Sequence, residues 1–169
     1  MLFLIFVYGT LKSGEPNYHL MQNETSGVCI PHGIAYTKEK YPLVVASRYN
    51  IPYLLDKPGT GHNVQGELYE VDAAQLAFLD RLESHPKLYI RKDVVLTRNK
   101  VDPSSREDIA VQAQAYFLVN FRSHLLDLPM YDSYTDMIDG KKYIKPKLRD
   151  VPAPLWWYEI HTDYEEEEI

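Results

Sequence analysis

The spacing of hydrophobic residues along the chain predicts a series of short strands. Residues 2–7 form a continuous apolar run, which is typical of a strand buried on both faces, and Gly9 follows its end. Residues 64–71 and 109–119 alternate apolar and polar positions, which indicates strands with one buried face. Pro31 predicts a bulge or a sheet edge. In all, the predicted strands cover residues 2–7, 26–39, 43–46, 53–55, 64–71, 87–98 and 109–119.

One helix is predicted where the spacing changes from that of a strand to that of a helix. Three leucines recur at helical intervals over residues 76–82. Asp72 is the expected N-cap, with Gln75 at the capping-box distance, and Pro86 ends the helix. A helical turn is possible over residues 17–22, and residues 101–108 are expected to form a polar turn.

Many short strands with one clear helix predict an α+β domain whose sheet curls toward a barrel. A chain of 169 residues is long enough for one core. We expect a single domain over residues 1–149, followed by a C-terminal strap and acidic tail over residues 150–169. Trp156 and Trp157 are expected to pack this strap against the body, with a binding role as the alternative. The acidic end from residue 163 is expected to be solvated.

Composition and charge exclude some classes of partner and favour one location. The net charge is −6, and the basic residues form no block, which argues against duplex nucleic acid or an anionic membrane as the main partner. Cys29 is the single cysteine, so no internal disulfide can form, and a buried core position suits it better than a nucleophilic role. The apolar run at the N-terminus is too short for a membrane span and lacks signal-peptide features. A cytoplasmic location is therefore predicted.

Glu83 is the first candidate for chemistry. It lies seven residues after Leu76 and four after Leu79, so it shares their side of the predicted helix. The negative end of the helix dipole and partial burial both disfavour a carboxylate there, which predicts a raised pKa suited to a general base and acid. An exposed glutamate without a role is the alternative, and Asp80 is a rival that lies farther from this side.

The segment Tyr8–Leu11 is the second candidate. Gly9 removes the side chain that would block a close approach, and it allows a positive φ. Backbone N–H groups beyond the end of a strand can converge on an anion, although an ordinary turn is the alternative. The six histidines have no metal-ligand spacing, and we find no phosphate-binding or dinucleotide motif. No metal or cofactor is predicted.

Four segments carry a further signal through their order and spacing: VYGTLKSGEPNYHLM, YPLVVASRYNIPYLL, FLDRLESHPKLYIR and YDSYTDMIDGKKYIKP. Together they resemble the γ-glutamylamine cyclotransferases, a branch of the wider γ-glutamylcyclotransferase-like group. The resemblance covers roughly residues 3–146. The Thr-Leu that follows Tyr8-Gly9 resembles the γ-glutamylamine branch in particular.

The resemblance implies a fold, a reaction and a site. The fold would be a small mixed β-barrel with one main helix and short helical turns, with the site at one mouth. The enzyme would be a cofactor-independent lyase that converts γ-glutamylamines, such as γ-glutamyl-ε-lysine, to 5-oxoproline and the free amine. The substrate loop maps onto Tyr8, Gly9, Thr10 and Leu11, and the catalytic glutamate maps onto Glu83. The partner would be a small-molecule γ-glutamyl substrate, with no obligate protein partner.

Further residues are weaker candidates for the wall of the site. They are Ile51 with its neighbours Asn50 and Pro52, then Tyr89, and Tyr134, whose phenol could bind the substrate; packing roles remain open for the tyrosines. Other functions also remain open. One is cyclotransfer from γ-glutamyl amino acids or glutathione, and another is a non-catalytic binding module that retains the pocket, against which the presence of Glu83 counts. A third is a structural partner protein that acts through the acidic tail.

Overall fold

The computed structural model describes residues 1–22, 26–99 and 110–167. The strands are β1 (Leu2–Val7), β2 (Cys29–Tyr41), β3 (Leu43–Ala46), β4 (Ile51–Leu54), β5 (His62–Asp72), β6 (Ile90–Thr97) and β7 (Ala110–Phe117), and the α-helix is α1 (Ala73–Leu82). Short 3₁₀ helices lie at Tyr18–Met21, Ser123–Asp127, Ile138–Gly140, Pro146–Leu148 and Trp157–Glu159. The polar turn predicted over residues 101–108 lies outside the described residues. Within them, no helix combines the length and apolar character needed to cross a membrane.

Five strands close into a barrel in the order β1-β5-β2-β6-β7. β1 runs parallel to β7, and the other neighbours are antiparallel. β3 and β4 form a separate antiparallel pair. The predicted α+β barrel with one main helix and short helical turns is thus confirmed. The register of β2 against β5 shifts between Pro31 and Gly33, which confirms a bulge at the predicted proline.

The hydrophobic core has two parts. The barrel core takes side chains from all five barrel strands, including Phe6, Leu68 and Phe117. The outer core takes the opposite face of β1 and β5 together with buried residues of α1, including Leu76 and Leu79. Strand alternation explains this division, because successive side chains of one strand point to opposite faces.

The start of α1 follows the predicted capping chemistry in part. The Asp72 carboxylate accepts the backbone N–H of Gln75 at 2.9 Å, as expected for an N-cap. The reciprocal bond of a capping box is not formed: Nε2 of Gln75 donates to the Leu20 carbonyl at 3.3 Å, and Oε1 of Gln75 has no described partner. The Asp72 N–H donates instead to the Val28 carbonyl at 3.2 Å. The cap therefore joins the helix to neighbouring segments of the chain.

The strap packs against the outer core, as predicted. Trp156 and Trp157 are only 2% and 6% exposed, and both belong to that cluster. The prediction of a solvated end from residue 163 is wrong at Tyr164, whose ring packs edge-on against Trp157 with centroids 5.1 Å apart. An aromatic side chain can recover apolar contact even in an acidic segment. The boundary at residue 149 stays a prediction.

Candidate active site

A cavity of about 560 Å³ lies between one mouth of the barrel and the strap. Its wall takes residues from the end of β1, from β4, from the connection between α1 and β6, and from β7. Residues 143–157 contribute the remaining side. Glu83 and the whole Tyr8–Leu11 segment line this one cavity. Two regions that are more than 70 residues apart in sequence are therefore brought to the same space.

A tight turn at the end of α1 positions Glu83 on the cavity wall. Glu83 is the C-cap residue, and Ser84 after it has a left-handed backbone with φ +51°. The N–H of Ser84 donates to the Arg81 carbonyl at 3.1 Å, and the N–H of His85 donates to the Asp80 carbonyl at 2.9 Å. This pair of bonds is the Schellman motif, which ends the helix and reverses the chain. Glu83 is thereby held at the point where the chain turns.

Burial raises the pKa of the Glu83 carboxyl to about 7. No donor in the described part of the chain forms a hydrogen bond with this carboxylate, so nothing offsets the cost of removing its charge from water. The raised pKa predicted from the sequence is confirmed, with desolvation as its cause. Near neutral pH the group can therefore both accept and release a proton.

Three phenols, Tyr8, Tyr89 and Tyr116, line the cavity near Glu83. Burial is the main cause of the raised pKa of each phenol, and the charge of Glu83 is a further cause in all three. Each donates its proton elsewhere: Tyr8 to the Tyr116 carbonyl (2.6 Å), Tyr89 to the Pro52 carbonyl (3.2 Å) and Tyr116 to Oδ1 of Asp80 (2.8 Å). The phenols thus surround the carboxyl without donating to it.

In the Tyr8–Leu11 segment, backbone carbonyl groups accept hydrogen bonds, whereas several backbone N–H groups donate none to described residues. The Gly9 carbonyl accepts the N–H of Lys12 at 3.1 Å, and the Thr10 carbonyl accepts the N–H of Asn17 at 2.8 Å. No acceptor among the described residues takes the N–H of Gly9, Thr10 or Leu11. Unpaired backbone donors in a largely buried segment favour a bound acceptor. The segment can therefore hold a carboxylate or a carbonyl oxygen.

Gly9 is required by a close contact. A Cβ atom built there would lie 2.8 Å from Cγ of Pro52, too close for an undisturbed structure. The described glycines with positive φ do not include Gly9, so the conformational freedom predicted for it is not used. The absence of a side chain instead lets β4 pack directly against the segment.

Comparison with known proteins identifies the family. The sequence profile described as "Gamma-glutamyl cyclotransferase, AIG2-like" matches residues 5–136, well over half of the chain. The chain belongs to this family. Gamma-glutamylaminecyclotransferase C of Danio rerio is 40% identical over 141 residues, which cover 83% of this chain and 91% of the relative. The Homo sapiens gamma-glutamylaminecyclotransferase is 42% identical over 136 residues, covering 78% and 88%.

A solved structure of the family supports the same fold. The crystal structure of an AIG2-like protein from Mus musculus is 38% identical, with a TM-score of 0.80. The match covers 88% of this chain and 99% of that one. The barrel that carries the cavity is therefore the fold of the AIG2-like family.

The structure places some of the weaker candidates for the wall of the site at the cavity and others elsewhere. Ile51 lines the cavity, as do its neighbour Pro52 and Tyr89. Tyr134 does not: it is fully buried in the barrel core, which is the packing position that the sequence left open. Asp80, the sequence-based rival of Glu83, does not line the cavity. Its carboxylate pairs with Arg91 at 3.2 Å.

Other residues of the cavity were missed by sequence reasoning. Asn17 and Tyr143 lie in the quoted segments but were not singled out, and residues 145–149 gave no signal of their own. Trp156 and Trp157 line the cavity as well as packing the strap, so they also occupy the position that the alternative binding role considered for them requires. Asn17 Nδ2 donates to Oγ1 of Thr10 and to the hydroxyl of Tyr143, each at 3.0 Å. No group of three or more His, Cys, Asp or Glu side chains within the described ranges could hold a metal ion.

Proposed function

We propose that this protein is a γ-glutamylamine cyclotransferase, which releases 5-oxoproline and a free amine. One observation carries the proposal: a carboxyl with a pKa of about 7, Glu83, shares a cavity with the unpaired amides of Gly9–Leu11. The relatives from Danio rerio and Homo sapiens carry the name of this activity. The family as a whole is described more broadly, by γ-glutamyl cyclotransfer.

The reaction needs one group that moves a proton twice. The α-amine of the substrate has a pKa of about 8, so near neutral pH it is largely an ammonium ion that cannot attack. Glu83 takes the proton, and the freed α-nitrogen forms a bond to the γ-carbonyl carbon. Glu83 returns this proton to the leaving nitrogen as the bond from that carbon to the leaving nitrogen breaks. The ionised Glu83 then takes the second proton from the ring nitrogen, and the released amine, which is the stronger base, ends as the ammonium ion. The atoms balance without water, and such acid–base catalysis is worth about 10²–10⁴-fold.

The second requirement is a folded substrate. The α-amine must meet the γ-carbonyl of the same molecule, and a held near-attack geometry can contribute about 7–11 kcal/mol in favourable cases. The N–H groups of Gly9, Thr10 and Leu11 are the donors for the substrate carboxylate or the developing oxyanion. A single oxyanion donor is worth about 2.7–4 kcal/mol.

The test is 5-oxoproline release from γ-glutamyl-ε-lysine by the wild type and by Glu83→Gln. We expect Glu83→Gln to lose about 10²–10⁴-fold in kcat/KM, because the amide keeps the shape but removes the base. Glu70→Gln is the control, since it changes a carboxylate outside the cavity. Equal release by the wild type and Glu83→Gln would remove Glu83 from the mechanism. No release by either would favour a binding module.

The leaving group, the partner and the location are part of the same proposal. γ-Glutamyl amino acids and glutathione are the alternative substrates, and parallel assays of γ-glutamyl-alanine and glutathione separate them from γ-glutamyl-ε-lysine. The partner is a small molecule. A cytoplasmic location agrees with a single cysteine, Cys29, and with the negative net charge. Fractionation of cells that express the protein tests this location.

A further inference from the structure

The charge of the cavity wall is uneven. Among the described residues that line it, Glu83 is the one acid, whereas Lys145, Lys147 and Arg149 all line the side formed by residues 143–157. None of these three cations has a described carboxylate within 4 Å. A cleft whose wall has charges of one sign focuses their field and concentrates ligands of the opposite sign, so this side of the cavity favours an anionic ligand.

Arg149 is held rigidly within this wall. Its guanidinium lies over the rings of Tyr49, Tyr143 and Trp156, at 5.1, 5.6 and 5.5 Å from their centroids. Its Nε donates to the Ile144 carbonyl at 2.9 Å. A guanidinium that is already oriented loses less rotamer entropy when it binds a carboxylate. The guanidinium of Arg149 is therefore preorganised for binding.

Two buried donors beside Arg149 lack acceptors. The Tyr143 hydroxyl accepts a hydrogen bond from Arg149 Nη2 at 3.2 Å and another from Asn17 Nδ2 at 3.0 Å, and no described group accepts its own proton. The indole N–H of Trp156 is buried and has no described partner. Both residues line the cavity. Buried donors without acceptors are uncommon in native structures, and an acceptor atom of a ligand would satisfy them.

We propose that Tyr143, Arg149 and Trp156, with Lys145 and Lys147 at the rim, form a subsite for a carboxylate on the leaving amine. The inference rests on the proposed function and deepens it. The free amides of the Tyr8–Leu11 segment serve the γ-glutamyl part, so the cationic wall is available to the other end of the substrate. The preferred leaving group is thus an amino acid joined through a side-chain nitrogen, such as lysine through its ε-nitrogen.

The geometry also couples the two parts of the site. Asn17 joins Oγ1 of Thr10 to the hydroxyl of Tyr143, which in turn accepts from Arg149. Residues 143–156 lie beyond the part of the chain that matches the family profile, which ends at residue 136. Tyr143 and Lys145 lie within the segment YDSYTDMIDGKKYIKP that resembles the γ-glutamylamine cyclotransferases, whereas Arg149 and Trp156 follow it.

A matched pair of substrates tests the subsite. γ-Glutamyl-cadaverine has the chain length and the ammonium group of γ-glutamyl-ε-lysine but lacks its carboxylate. We expect the wild type to favour the lysine compound by about 10- to 100-fold in kcat/KM, mainly through KM, as for a charge-assisted hydrogen bond. Arg149→Gln and the exposed Lys147→Gln should reduce this ratio, whereas Lys38→Gln, outside the cavity, should preserve it.

The outcomes separate the subsite from the proposed function. Equal kcat/KM for both compounds in the wild type would overturn the subsite and leave the cyclotransferase activity intact. Release of 5-oxoproline from neither compound would overturn the activity. Calorimetry on the Glu83→Gln protein then tests the subsite without turnover: tighter binding of the lysine compound, lost on adding Arg149→Gln, supports it, and equal or absent binding of both compounds overturns it.

Discussion

Two carboxylates at the end of α1 show how surroundings decide what a residue can do. Oδ1 of Asp80 pairs with Arg91 at 3.2 Å and accepts the Tyr116 hydroxyl at 2.8 Å, so this carboxylate is held by partners outside the cavity. Glu83, three residues later, is half-buried in the cavity wall and receives no hydrogen bond from a described donor. A carboxyl that is removed from water without a compensating donor has a raised pKa, as Glu83 has. Proton transfer is therefore expected of Glu83 alone.

The pH dependence of the reaction should report the Glu83 carboxyl. Because Glu83 must be ionised to take the proton, we expect kcat/KM to rise with pH through about 7. It should fall again above the substrate amine pKa of about 8, where no proton remains for the leaving group. Stopped assays of 5-oxoproline from pH 5 to 9 measure this profile. An acidic limb near the ordinary pKa of 4.5 would contradict the assignment.

Gly9 allows a sharper test of the loop. The Cβ of Gly9→Ala would lie 2.8 Å from Cγ of Pro52, so either the loop or β4 must move. A displacement of this kind should lower kcat/KM by about 10- to 100-fold. Thr10→Ser is the control, because it keeps the hydroxyl that accepts from Asn17. Full activity of Gly9→Ala with an unchanged melting temperature would mean that the segment is only a turn.

At the scale of elements, the end of α1 sets the position of Glu83, the proposed catalytic residue. The helix would place the next residues along its axis, but the left-handed Ser84 turns the chain at the cavity wall. Leu88 and Tyr89 then return to line the same cavity. A serine accepts this conformation at a cost that glycine would avoid. The turn is thus a place where backbone strain and the position of Glu83 are linked.

Substitutions of Ser84 should separate strain from function. We expect the free energy of unfolding of Ser84→Val to be about 1–2 kcal/mol lower than that of Ser84→Gly, because a β-branched residue disfavours positive φ. Urea unfolding measures both variants, and the 5-oxoproline assay measures their activity. Equal stability of the two variants would contradict a left-handed backbone at this position.

At the scale of the whole molecule, the barrel and the strap together form the cavity. The end of α1 supplies Glu83, and the chain after the barrel strand β1 supplies the Tyr8–Leu11 segment. The strap contributes Trp156 and Trp157 to the side formed by residues 143–157. Both tryptophans also belong to the outer core, so the same residues support the fold and the cavity wall. Loss of the strap should therefore affect stability and activity together.

The end of the strap is best tested by two truncations that differ by one residue. Ending the chain after Tyr164 removes mainly acidic residues, of which Glu165 makes only an exposed 3.9 Å ion pair that should contribute little. Ending it after Asp163 also removes the Tyr164 ring that packs against Trp157, which should cost about 1–3 kcal/mol. Thermal unfolding compares the two. Equal melting temperatures would show that Tyr164 does not fasten the strap.

Local structure and the candidate site residues could be predicted from the sequence alone. Apolar runs and alternation predicted the strands, Asp72 predicted the helix start, and the motifs pointed to Glu83 and the Tyr8–Leu11 segment. These features depend on near neighbours, because the period of burial is a property of each strand or helix. Each could therefore be recognised without knowledge of the rest of the chain.

Which side chains meet could not be predicted in this way, because it depends on contacts between segments that are distant in sequence. Tyr134 was a plausible wall residue by sequence but lies in the barrel core, whereas Tyr143 and Arg149 line the cavity without a local signal. Tyr164 lies in an acidic segment, and its ring nevertheless packs against Trp157. These outcomes depend on barrel closure and on the path of the strap, which join residues that are distant in sequence. The periodicity of a sequence predicts which face of a strand or helix is buried, but it does not predict which other segment packs against that face.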